Sequence, residues 1–214
     1  MPIAFHEFAT IVTAAPGTGS TSLLAACDRS ALAVDLVDAL GLGDADLDPK
    51  HATVADLART CAFTWEGEIV TTTRNPFDFY LAEWTRTRTR WAREVDHPTS
   101  WVHRVAGMRR AIDDAVENDF VDWLELVLGA DVEAGTRRRV NRGHVDEATI
   151  IVRMEHFDQD LERAHPDLAR EIGTLPHENR TDRSRDTAAA YTPRARDLVA
   201  TVHAEDIDRF GYDI

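Results

Sequence analysis

The chain has 214 residues, 43% of them hydrophobic and 29% charged, with 24 basic residues against 38 acidic ones and a formal net charge of -14. That length supports a substantial core within one domain, and the negative balance excludes a protein that coats nucleic acid through a basic footprint. No stretch nears the roughly 18–20 uninterrupted apolar residues of a membrane helix. Residues 1–7 carry no basic region ahead of an apolar block, so a cytoplasmic protein with no membrane span is expected.

In chain order, Phe8–Ala14 is a short apolar run that predicts a buried parallel strand. It ends at Pro16 and a cluster of small residues, Gly17-Thr18-Gly19-Ser20-Thr21-Ser22, after which a helix is predicted to open at Ser22. Ala31–Leu40 is predicted helical and closes at Gly41. Lys50-His51 precedes a short helix over 53–60, with Thr53 as its cap and Asp56 three residues on in an imperfect capping box.

Glu68–Thr73, β-branched at every position after Glu68, predicts a second strand. It runs into Arg74-Asn75-Pro76, and a helix is predicted from 77 or 78 to about 93. Apolar residues recur at three- or four-residue spacing over 101–128, which predicts helix. Ala148–Arg153 predicts a third strand, with helices at 157–164 and 193–206 and a polar, Arg-rich loop at 175–186 between them. Strand–helix alternation implies an α/β fold with a mostly parallel sheet covered on both faces. Ligands of such sheets bind beyond the strands' carboxyl ends, where residues 13–22 and Arg74 fall.

Three groups of residues can carry chemistry. In the loop, Gly17 and Gly19 let the backbone turn tightly, so that N–H groups, the hydroxyls of Thr18, Ser20, Thr21 and Ser22, and a helix N-terminus can face an anion. The G-K-[ST] of a Walker A loop is absent. Arg74, at a strand end, can clamp a second phosphate or satisfy a carbonyl or an acid. Lys50 is the chain's only lysine, and His51 beside it titrates near working pH, as a general base must. The same pair can also be an exposed helix entry.

Together these motifs resemble the sulfotransferases that use 3′-phosphoadenosine 5′-phosphosulfate (PAPS), especially the carbohydrate-type branch. Residues 16–23 are similar to the family's 5′-phosphosulfate loop, Lys50-His51-Ala52-Thr53 to its lysine-histidine motif, and Thr73–Asp78 to its 3′-phosphate motif. Glu155–Leu161, His177-Glu178-Asn179 and Asp206–Tyr212 resemble its later motifs, so the likeness spans about 8–214. It implies a single P-loop sulfotransferase-like domain with a helical insertion at about 85–148, and transfer of a sulfuryl group to a hydroxyl or amine of a small-molecule or carbohydrate acceptor. The resemblance places the cofactor on Gly17, Thr18, Gly19, Ser20, Thr21, Ser22 and Arg74, and makes Lys50 and His51 catalytic.

Two positions depart from that pattern: Gly17 replaces the family's loop lysine and Ala82 its 3′-phosphate serine. Lys50 is the candidate to supply the missing charge. Arg180, Arg183 and Arg185 either close over the 3′-phosphate or form a solvated charge run, and Arg137–Arg139 are surface or an acidic-substrate contact. The histidines lack paired ligand spacing, so no metal is expected. Cys27 and Cys61 are expected to be buried small hydrophobes, and Trp84, Trp91, Trp101 and Trp123 to be core residues on helical faces, with one or two able to line an acceptor pocket. The sequence carries no mark of oligomeric state.

Overall fold

Short apolar and β-branched runs become five strands in the computed structural model, which describes residues 1–43, 45, 47–176 and 187–214. They are β1 (Ile3–Phe5), β2 (Thr10–Thr13), β3 (Val34–Asp35), β4 (Glu68–Thr73) and β5 (Ile150–Arg153). The helices are α1 (Ser20–Cys27), α2 (Leu36–Ala39), α3 (Val54–Cys61), α4 (Pro76–Arg86), α5 (Ala92–Glu94), α6 (Met108–Glu117), α7 (Phe120–Glu133), α8 (Arg142–Glu147), α9 (Phe157–Ala164), α10 (Pro166–Ile172), α11 (Pro193–Val202) and α12 (Ala204–Phe210). Among the described residues, no helix is long and apolar enough to cross a membrane.

The fold is α/β, with a sheet flanked by helices in the order β3-β1-β2-β4-β5. The expected mostly parallel sheet is in fact mixed. β2–β4 and β4–β5 pair in parallel, whereas β1 is antiparallel to both β2 and β3. β1 has only three residues, too few to show a period, and folds back through a 3₁₀ turn (His6–Phe8) and the left-handed Ala9. The helix expected over 31–40 is also broken. Asp35 ends β3, and its carboxylate accepts from the Val37 amide at 2.9 Å and the Asp38 amide at 3.4 Å, which starts α2 there instead.

The described residues form two compact units, 1–74 with 140–176, and 75–139 with 187–214. The first holds the whole sheet. Alternation along β1 and β2 sends Ile3, Phe5 and Val12 into one core, shared with Leu23, Leu24 and Cys27 of α1, Phe157 and Leu161 of α9, and Leu168 and Ile172 of α10. Ala4 and Ile11 enter a second core with Leu36 and Val37 of α2 and Leu57 of α3. Cys27 is buried, and burial pushes its thiol up to about 12. Cys61 corrects the expectation for both cysteines: it is exposed, on the outward side of a helix whose single buried residue is Leu57.

The second unit is helical. Asn75 caps α4 by accepting from the Phe77 amide at 3.0 Å, with Pro76 in the first turn, and the helix continues through a π turn (Thr87–Trp91) into α5. Phe77, Tyr80, Phe120, Trp123 and Tyr191 pack with Leu198 and Val199 of α11. Two tyrosine hydroxyls tie this core: Tyr191 donates to the Phe77 carbonyl at 2.7 Å, and Tyr80 bonds His203 Nε2 at 2.8 Å. The helix expected over 193–206 divides at His203, which ends α11 and precedes α12.

Candidate functional site

β2 delivers the chain to the fully buried Ala14 and Ala15, after which the backbone must turn sharply into α1. Gly17 (φ 74) and Gly19 (φ 75) make that turn in the left-handed region, where a side chain is strained. Gly19 caps α1, so the helix opens at Ser20, two residues earlier than expected. A Cβ there would also meet the Met154 methyl and come within 2.9 Å of its sulfur, the far end of a flexible side chain that can move aside.

Four successive carbonyls of this loop are each held by a side chain. His51 Nδ1 bonds the Ala14 oxygen at 2.7 Å, and the Thr18 hydroxyl donates to Ala15 at 2.9 Å. The Asn141 amide donates to Pro16 at 2.7 Å, and Arg74 Nη1 donates to Gly17 at 3.1 Å. A trans peptide directs its C=O and N–H to opposite sides. Fixing the Pro16 and Gly17 carbonyls therefore turns the Gly17 and Thr18 amides the other way. Among the described residues, the amides of Gly17, Thr18 and Gly19 donate to no backbone carbonyl. The bond from Leu23 N to Gly19 O at 3.0 Å closes the first turn of α1, leaving the amides of its opening residues directed out of the helix end. This end carries the positive pole of the helix dipole.

The other sequence-predicted residues sort by position. Lys50 Nζ donates to Thr21 Oγ1 at 2.9 Å, which brings the single lysine to the loop. Thr18 is fully buried and its hydroxyl faces inward, with Thr72 Oγ1 2.6 Å away, so that hydroxyl is not available to a ligand. Ser20 and Ser22 are buried at the start of α1. Thr53 and Asp56 form a full capping box at α3, with the Thr53 amide donating to Asp56 Oδ2 at 2.8 Å. Asp160 clamps Arg153 at the end of β5, with Nε–Oδ2 2.7 Å and Nη2–Oδ1 2.9 Å, and Arg153 holds its carboxyl below the usual range. Arg183 and Arg185, with Arg180, His177 and Asn179, lie outside the described residues. In the second unit Arg138 meets Asp131 at 2.5 Å and Arg139 meets the buried Asp206 at 3.5 Å, so both pair with acids of the protein itself.

The chemistry of the His51 contact fixes its tautomer. A carbonyl only accepts, so Nδ1 carries the proton and, in the neutral ring, Nε2 carries the lone pair. Burial lowers the His51 pKa, against an opposing pull from the Ala14 bond. His144 on α8 is also buried, and burial together with the neighbouring His51 lowers it to about 4. The far end of α8 caps α3: the Glu147 carboxylate accepts from the Val54 and Ala55 amides, each at 3.0 Å.

Asn141, His144 and Glu147 escaped sequence reasoning because they act across about a hundred residues and form no motif among themselves. The available signal was the turn Asn141-Arg142-Gly143 ahead of a short helix. No protein-family model matches the chain, and no curated protein or solved structure matches it either.

Proposed function

We propose that this protein is a sulfotransferase with a P-loop sulfotransferase-like fold. It takes PAPS on residues 16–22 and moves the sulfuryl group to a hydroxyl or amine of a small-molecule or carbohydrate acceptor. The observation that carries this reading is the loop with its carbonyls held by side chains of the protein, its Gly17 and Thr18 amides turned the other way and Lys50 against it. Such an arrangement suits a multiply charged anion, because oriented N–H dipoles and one cation stabilise it without reorganising.

When bound, the cofactor supplies a sulfuryl group attached to a good leaving phosphate. The residues of this chain position it and balance its charge, as in phosphoryl transfer. The loop amides hold the 5′ phosphate, and Lys50 offsets the negative charge that grows on the leaving oxygen, the task Gly17 cannot perform. His51 Nε2 takes the acceptor's proton as its oxygen or nitrogen bonds to sulfur and the sulfur–phosphate oxygen bond breaks. Arg74, whose Nη1 donates to the Gly17 carbonyl at the edge of the loop, serves the 3′-phosphate with its planar guanidinium.

Calorimetric titration with adenosine 3′,5′-bisphosphate tests this. Saturable binding is expected, and Arg74→Ala should weaken it by more than about 1 kcal/mol, the scale of a charged hydrogen bond. No binding by the wild-type chain would refute the reading. A second reading keeps the site and changes the ligand to another phosphorylated compound, with a different transfer or none. It is favoured by Gly17 and by the buried Ala82, which offer neither a cation nor a hydroxyl. Greater thermal stabilisation by adenosine 5′-monophosphate or a phosphosugar than by the bisphosphate would select it.

A further inference from the structure

The peptide between Pro16 and Gly17 is one joint of the loop with little backbone restraint of its own, since its second residue is glycine. Rotating a peptide plane changes ψ of the first residue and φ of the second, and glycine accepts nearly any φ. A rotated plane would turn the Gly17 N–H away from the anion side and present a carbonyl oxygen there. One group restrains this plane from its carbonyl side, the amide of Asn141, 125 positions along the chain.

Asn141 is well placed for that task. Its backbone is left-handed (φ 56, ψ 45), a conformation asparagine tolerates better than most residues. It opens α8, whose other end is anchored by the two Glu147 bonds to α3, while His144 and Val145 between them are buried. A donor on so short and doubly fixed a helix has little freedom to turn aside.

We propose that Asn141 is a positioning residue of the anion loop, holding the Pro16 carbonyl so that the Gly17 amide stays turned to the anion. The proposal rests on reading residues 16–22 as the anion site. With Gly17 in the loop, charge and backbone restraint come from elsewhere in the sequence: Lys50 provides the first and Asn141 the second.

Asn141→Gly keeps the left-handed backbone and deletes the donor, whereas Asn141→Asp keeps the shape and replaces the donor with a negative acceptor. Both are compared with the wild-type chain by ¹⁵N relaxation without ligand, by titration with adenosine 3′,5′-bisphosphate, and by thermal melting to confirm folding. In Asn141→Gly the order parameter at Gly17 should fall from the rigid value near 0.85 toward about 0.6, with β4 unchanged. The nucleotide should bind roughly tenfold more weakly, the scale of one hydrogen bond to a charged group, and Asn141→Asp should bind more weakly still. A merely structural role would lower the melting temperature and leave the affinity of the folded variant intact. Unchanged relaxation at Gly17 overturns the proposal, and so does an affinity within twofold of a wild-type chain that binds. If the wild-type chain binds no bisphosphate, the functional reading falls and the relaxation result alone decides the role of Asn141.

Discussion

Lys50 Nζ and Thr21 Oγ1 lie 2.9 Å apart although 29 positions separate them, so the chain's only lysine meets the second residue of α1. That contact brings a compact positive charge to the N-terminal end of the helix, where it adds to the helix dipole in attracting an anion.

Replacing Lys50 by Met should therefore weaken binding of adenosine 3′,5′-bisphosphate by about 1.5–3 kcal/mol, the value of a hydrogen bond to a charged group, and leave the fold intact or slightly more stable. Thr21→Val should cost less, because it removes a guide and keeps the charge. Calorimetry on the two variants and the wild type checks the order; equal affinities would refute a role for Lys50.

His144 sets an acid limit on stability. Its pKa in the folded protein, about 4, lies below the unfolded value of 6.5, so the folded state binds fewer protons between those values. Its contribution is whole above pH 6.5 and is lost as pH falls toward 4, up to about 3 kcal/mol for a shift of this size. His51 is lowered too and acts in the same direction. Urea unfolding at pH 7 and at pH 4.5 should differ clearly more for the wild type than for His144→Gln, and parallel losses would contradict the assignment.

Gly19→Ala should lower stability by about 1–2 kcal/mol from the left-handed backbone, with a smaller addition from displacing the flexible Met154 side chain. Adding Met154→Ala should recover the collision but not the backbone strain. Melting temperatures of the single and double variants separate the two parts.

Tyr80 and His203 are both buried, and burial pushes the Tyr80 hydroxyl up to about 12, so it remains protonated through the physiological range. Tyr80→Phe leaves His203 Nε2 without its 2.8 Å partner and should cost about 1–3 kcal/mol. A double variant with His203→Phe should lose less than the sum of the single losses, since neither polar group is then stranded. Additive losses in denaturant titrations would show the contact to be inert.

Where local chemistry decides the structure, the sequence was a sufficient guide. The β-branched run at 68–73 is β4 without a residue's error, and Thr53 with Asp56 caps α3 as their spacing requires. The strand–loop–helix at 10–27 stood out because glycine, proline and small hydroxyl residues have strong backbone preferences. What it concealed depended on distant partners. Ile3–Phe5 is a strand only because β2 and β3 flank it. Thr18 looked like a ligand for the anion, but its hydroxyl finds Thr72 inside the protein. Asn141 and Glu147 do their work 125 and 93 positions away from the groups they hold.

The side chains that hold the loop carbonyls come from Thr18 itself, from His51 ahead of α3, from Arg74 after β4 and from Asn141 at the start of α8. The shape of the loop therefore depends on segments spread over residues 14–141 all being docked. A peptide cut from residues 10–27 would carry the motif and lack the site. Ligand affinity thus doubles as a gauge of complete assembly, and any compound that binds there will shift the folding equilibrium of the entire sheet-bearing unit by mass action.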